Sequence, residues 1–319
     1  MGRLRDFGLS SFLCAGLLAC ASVSAQPDVG AASHPSETVA RLQALYQDTR
    51  NDCREHGTGE PRGLYYCSGL LIRGVGDRGF LPWTFSPSAI ARGGAPFSWL
   101  RHDVPFEELL YASGFILRNP AQAAATGLPA TDTGFICIYP VDGLTHGNTN
   151  HNGCGLRTPV ADSHPQPQAR HHNRALAWGQ CEALGITTVE QWLAFYHASQ
   201  DRPHCAWNID SPTAWTNAIA LHGLLQKIEP IRYPWNELIL HVPHPGFTVK
   251  DEIEAFFHTQ DAQGDMPQLA AARVFQRRLF EHGRWVPIVR LSARSGQPVI
   301  SYHPQEQAIA HEQSRISTP

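Results

Sequence analysis

Arg73, Ser98 and Glu237 lie in three separate segments and bring together the side-chain types that can break a glycosidic bond beside a pyrophosphate. Arg73 closes the apolar run Leu70-Leu71-Ile72, and Ser98 sits in Phe97-Ser98-Trp99-Leu100-Arg101. Glu237 opens the run Leu238-Ile239-Leu240-His241-Val242, directly after Trp235-Asn236. Breaking such a bond develops an oxocarbenium-like cation, and a fixed carboxylate facing that charge lowers the barrier electrostatically. Glu237 takes that role, with Ser98 orienting it. Arg73 offers a planar, permanently charged fork matched to phosphate oxygens. Arg101 is a second phosphate contact, and Phe97 or Trp99 supplies an aromatic wall for a planar leaving group. Each residue also has a bland reading: a salt-bridged strand end for Arg73, an edge-strand hydroxyl for Ser98 and a surface acid for Glu237.

Other patterns carry less. Gly74-Val75-Gly76-Asp77-Arg78-Gly79 fits the spacing GxGxxG, but that fingerprint needs a helix to open at once and hold a pyrophosphate at its N-terminus. Phe80-Leu81-Pro82-Trp83 follows instead, which reads as a turn. Asp132-Thr133-Gly134 lacks the second acidic triplet that a proton-sharing carboxylate pair requires. His146, His151, His164, His171 and His172 crowd one irregular stretch without a metal-ligand spacing, so no metal ligands are assigned. His151 with Cys154 would make a base–nucleophile pair only if Cys154 were a free thiol. Glu252-Ile253-Glu254 reads as the acidic first turn of a helix.

The setting of these residues comes from the two ends of the composition. Residues 1–25 read as an export leader: Arg3 and Arg5, an apolar stretch from Phe7 to Val23, then Val23-Ser24-Ala25 before Gln26. Leu17-Leu18-Ala19-Cys20 also resembles a lipobox, which would instead tether the chain through Cys20. The chain has eight cysteines. Those beyond the leader are Cys53, Cys67, Cys137, Cys154, Cys181 and Cys205, an even set suited to disulfides in a secreted or periplasmic protein, with the pairing left open. No later segment reaches the roughly 20 apolar residues of a membrane-spanning helix. A formal charge of −3 with no basic stripe disfavours a nucleic-acid partner.

The positioning elements follow from periodicity. A flexible segment covers 26–35, a single catalytic domain covers 36–302, and a polar, frayed tail covers 303–319. Ser36 is expected to cap a helix ending near Cys53, with Val39, Leu42, Leu45 and Tyr46 on one face. Strands are expected at Leu64–Val75, Phe97–Leu100, Gly134–Tyr139 and Glu237–Val242. Helices are expected at Phe106–Ala112, Ala175–Leu184, Val189–Ala198, Pro212–Ile228, Val249–Phe257 and Leu269–Glu281. Ser211 and Pro212 supply the N-cap and first position of the longest. Trp285–Leu291 and Val299–Tyr302 should pair as a hairpin. The stretch 140–173 is long and irregular, which points to function rather than filler.

The order Arg73…Ser98…Glu237 resembles the arginine–serine–glutamate class of ADP-ribosyltransferases. With the leader, the six cysteines and the segments CSGLLIRG and FSWLR, the chain resembles more narrowly the halovibrin family of secreted bacterial proteins. That resemblance implies one disulfide-stabilised α/β (α+β) domain with a split, mixed, ADP-ribosyltransferase-like sheet. It also implies NAD as substrate rather than resident cofactor, with nicotinamide released. The chain departs from the pattern twice. Pro96 stands where a first serine is usual, and Trp235 replaces the acid or amide two residues before the glutamate. By resemblance that position orients a protein acceptor, so Trp235 beside the substrate favours water as acceptor. Two other classes stand as alternatives: a non-catalytic exported binding protein, and a metal-dependent hydrolase using the 146–172 histidines.

Overall fold

A computed structural model of the chain describes residues 34–75, 81–92, 94–104, 106, 112–125, 134–141, 181–198, 205–209, 211–228, 235–242, 244–259, 267–292 and 300–316. The leader, most of the GxGxxG segment, Asp132, Thr133, most of the helix expected from Phe106, Cys154 and all five clustered histidines lie outside these residues.

Eleven strands lie in the described chain: β1 (Cys53–Arg54), β2 (Pro61–Arg62), β3 (Leu70–Gly74), β4 (Gly94–Leu100), β5 (Ser113–Leu117), β6 (Phe135–Tyr139), β7 (Trp207–Asn208), β8 (Glu237–His241), β9 (Ile253–His258), β10 (Ile288–Leu291) and β11 (Ile300–Tyr302). β1 and β2 form a small ribbon, and the rest join in one ladder, β11-β10-β9-β5-β3-β4-β8-β6-β7. Only the β9/β10 pair is parallel, so the sheet is mixed. Strand β4 joins the two parts of this ladder through different residues, Gly94–Phe97 to β8 and Ser98–Leu100 to β3.

Helices cover both faces. On one face lie α4 (Val189–Ala198), α5 (Pro212–Ile228) and α6 (Pro267–Glu281), whose buried residues join Leu71, Phe97, Trp99, Phe115, Leu238 and Phe256 in the larger core. In α6 that stripe is Leu269, Ala272, Phe275 and Leu279, the spacing of a helix with one apolar side. On the other face, Leu42, Leu45 and Tyr46 of α1 (Pro35–Gln47) pack on Ile72, Ile116, Phe257 and Val289. The short helices α2 (Pro87–Arg92), α3 (Pro120–Ala125) and α7 (His311–Ile316) complete the described set.

The helices α4 and α5 match their expected limits, and Ser211 Oγ accepts the Ala214 N–H at 3.2 Å as the cap of α5. Strands β6 and β8 and the β10/β11 hairpin also fall where periodicity put them. Elsewhere the expectation fails for definite reasons. Val249–Phe257 is not a helix but a 3-10 turn at Lys250–Glu252 followed by β9. All six β9 residues are buried because the strand lies between β5 and β10, and a strand apolar on both faces gives no alternation to read. The start of Leu64–Val75 is a 3-10 turn, and the chain reverses at Gly69 with φ +72°. There Trp99 packs where a side chain would stand. Ser36 does not cap α1; it hydrogen-bonds its neighbour His34 at 2.7 Å. The segment from His303 is docked rather than frayed: Glu306 is buried and α7 follows.

Disulfides join Cys53 to Cys67 and Cys181 to Cys205, and Cys137 is disulfide-bonded as well. No helix among the described residues is long and apolar enough to cross a membrane.

Candidate functional site

Two strand pairings decide which of the singled-out residues can meet. β3 sets Ile72 opposite Ser98, and β6 sets Tyr139 opposite Glu237. The β4/β8 ladder ends at the pair Phe97 and Leu238, so Ser98 and Glu237 are the next residue on each strand and lie on the face opposite to that pair. Directly opposed residues of antiparallel strands share a face, with Cβ atoms about 4.5–5.5 Å apart. Ile72 with Ser98, and Tyr139 with Glu237, are thus two cross-strand pairs that lie in a row on one face of the sheet. Ser98 and Pro96 are half-buried, whereas Glu237 is only 2% exposed and Tyr139 is buried. The row thus reaches solvent on its β4 side and is closed on its β6 side. Trp235, two residues before Glu237, belongs to the core on this same face and is 9% exposed.

The backbone next to the carboxylate is held in an unusual way. The Asn236 side chain accepts the Trp99 N–H at 2.9 Å and donates to the Trp99 carbonyl at 2.8 Å. One carboxamide replaces the partner peptide groups that the ladder would otherwise supply. Trp99 is itself pinned: its indole donates to the Ser68 carbonyl at 2.7 Å and meets Trp215 edge-on at 4.9 Å.

Arg73 is on the opposite side of the sheet. It pairs with Phe115, and this pair is on the face of Phe97, which with Phe115 belongs to the larger core, rather than on that of Ser98. Its guanidinium lies 5.3 Å from the Phe85 ring and 5.4 Å from the Phe97 ring, and it donates to the Pro96 carbonyl. The geometry thus joins Ser98, Glu237 and Trp235 and separates Arg73 from them by the thickness of the sheet. The strand period is the cause: Arg73 and Ser98 are one register step apart, and one step reverses the face.

The supporting aromatics and the second arginine have other work. Phe97 and Trp99 are fully buried on the α5/α6 face, away from Glu237. Arg101 is 1% exposed and its fork is engaged by Asp103 at 2.5 and 2.7 Å, the Arg50 carbonyl at 2.8 Å and Ser68 Oγ at 3.4 Å. It anchors the β4 end to the chain after α1, and with four of its five N–H groups engaged and only 1% of its surface exposed it is not open to a phosphate.

Two further charge clusters sit apart from this row. Glu254 is bridged by Arg41 and Arg118, so the ExE segment braces β9 instead of capping a helix. Burial, helped by Asp251, pushes the Glu252 carboxyl up to about 7, while burial brings Arg284 down to about 10. His258, Arg290 and Glu306 form the other, under the docked C-terminal segment. Among the described residues no group of three or more His, Cys, Asp or Glu could hold a metal ion.

Sequence reasoning passed over Tyr139 and Asn236. Tyr139 lay inside an expected strand, but its neighbour across the sheet depends on β6 pairing with β8. Asn236 gave only the weak signal of a polar residue immediately before a buried strand. Neither a protein-family model nor any curated protein matches the sequence.

Proposed function

We propose that this chain cleaves the nicotinamide–ribose bond of NAD and passes the ADP-ribosyl group to water. The observation that carries the reading is that Ser98 and Glu237 follow the last β4/β8 pair on one face of the sheet, where half-buried Ser98 opens an otherwise buried strip. A carboxylate withdrawn from water, with a hydroxyl across from it, is suited to face the positive charge that develops on the ribose as nicotinamide departs. Nicotinamide is a good leaving group, so one carboxylate suffices. Glu237 aligns the ribose and stabilises the cation, Ser98 orients the carboxylate, and Trp235 and Tyr139 flank it as apolar walls. The bulky Trp235 leaves no carboxylate or amide at the position where a protein acceptor would be oriented, which favours water.

Arg73 enters this reading in a changed role. From behind the sheet it grips the Pro96 carbonyl and the Phe97 ring, and so braces the β4 segment that presents Ser98. Disulfides suit action outside the reducing cytosol, in the periplasm or beyond. The test is nicotinamide release from NAD by the oxidised, leaderless protein beside Glu237→Gln. Release by wild type with a loss of about 10²-fold or more in the variant supports the reading. No release by folded wild type, or an undiminished rate in Glu237→Gln, removes it.

A further inference from the structure

We infer that Asn236 is a positioning residue for Glu237, an inference that rests on the NAD-cleaving role just proposed. The regular β4/β8 ladder ends at Phe97 and Leu238, and beyond it the Asn236 carboxamide takes both main-chain polar groups of Trp99. A side-chain amide reaches farther than a peptide group, so the backbone at 236 stands off from β4 while Leu238 stays in register. Glu237 lies between those two fixed points. The direction of its carboxylate is set on one side by strand pairing and on the other by a clamp of fixed length.

The far end of that clamp is among the most firmly held parts of the fold. Trp99 is tied to Ser68, packed on Trp215 and covered by Arg101, whose guanidinium lies 4.8 Å from its ring. Asn236 is itself 2% exposed, so no solvent can replace the bonds it makes. Only asparagine meets both demands at this reach: one donor and one acceptor in a planar group. Aspartate loses the donor and sets a second negative charge beside Glu237. Glutamine keeps both groups but lengthens the arm by a methylene and moves Glu237 relative to Ser98.

The experiment compares wild type, Asn236→Gln, Asn236→Ala and Glu237→Gln for nicotinamide release, with kcat and KM separated. The carboxyl of Glu237 is followed in parallel by carbon NMR against pH. Asn236→Gln should keep KM and lower kcat by about 10–10²-fold, the scale of a misplacement near 1 Å. Its Glu237 midpoint should also move by at least about half a pH unit. Asn236→Ala should lose at least as much, and if it does not fold, Asn236→Gln alone decides. A folded Asn236→Gln with wild-type kcat and an unmoved midpoint overturns the inference, even while a dead Glu237→Gln leaves the NAD reading intact. If Glu237→Gln is fully active, the NAD reading itself falls, and the inference falls with it.

Discussion

Replacing Glu306 by glutamine should destabilise the protein and remove part of its sensitivity to acid. Glu306 is 5% exposed and receives His258 Nε2 at 3.0 Å on one oxygen and the Arg290 guanidinium on the other. Burial alone would raise its carboxyl; the hydrogen bonds and charges of His258 and Arg290 outweigh that and bring it below the usual carboxylate range. A buried charge-assisted bond contributes about 1.5–3 kcal/mol, and the one to Arg290 is discounted because that side chain is a third exposed. Glutamine still accepts one bond, so the net loss is about 2–3 kcal/mol. At about 2–4 °C per kcal/mol for a chain of this size, Tm should fall by about 5–10 °C near pH 7. A group with a depressed folded pKa stabilises above its unfolded pKa, and that contribution is lost as pH falls through the folded value. Wild type and variant should therefore converge below the ordinary carboxylate range. Thermal melts of both oxidised proteins from pH 3 to 8 provide the assay. Equal Tm at pH 7, or a gap that widens on acidification, would refute the reasoning.

Arg101→Met should cost about 1–3 kcal/mol, because it leaves the Arg50 carbonyl without its donor while the 38% exposed Asp103 carboxylate returns to water; denaturant unfolding reads the loss. On the proposed orienting role of Ser98, Ser98→Ala should lower kcat for nicotinamide release by about 10-fold while leaving Tm within a few degrees, since the hydroxyl is half-buried. Glu252→Gln should stabilise the protein above pH 7 and not at pH 4. A carboxyl raised to about 7 in the fold destabilises the native state as pH climbs through that range, by up to about 1 kcal/mol after screening by water. Paired melts at the two pH values check the sign.

The sequence was most readable where one side of an element faces solvent. α5 carries a capping serine, a first-position proline and a regular apolar stripe, and its limits follow from those signals alone. β9 shows the opposite case: buried on both sides, it offers no alternation, and Val249, Ile253 and Phe257 mimic a helical spacing. The candidate site was half legible. Ser98 and Glu237 stood out by type and strand position, and the register puts them on one face. Arg73 stood out in the same way, yet its face depends on pairing Leu70 with Leu100, a partnership no local pattern encodes. Asn236 was invisible because its role exists only against Trp99, 137 positions away in the chain.

The order of the strands has a consequence for how the chain reaches this state. β4 takes β8 as a neighbour and β5 takes β9, so each half of the sheet waits for a partner made more than a hundred residues later. Closing such loops is slow, and the apolar strands stay uncovered until it happens. The disulfides Cys53–Cys67 and Cys181–Cys205 span only 14 and 24 positions. They can join correctly while the sheet is still open, because their ends meet without any long-range contact. The two bridges thus close short loops, whereas the sheet around them closes loops of more than a hundred residues.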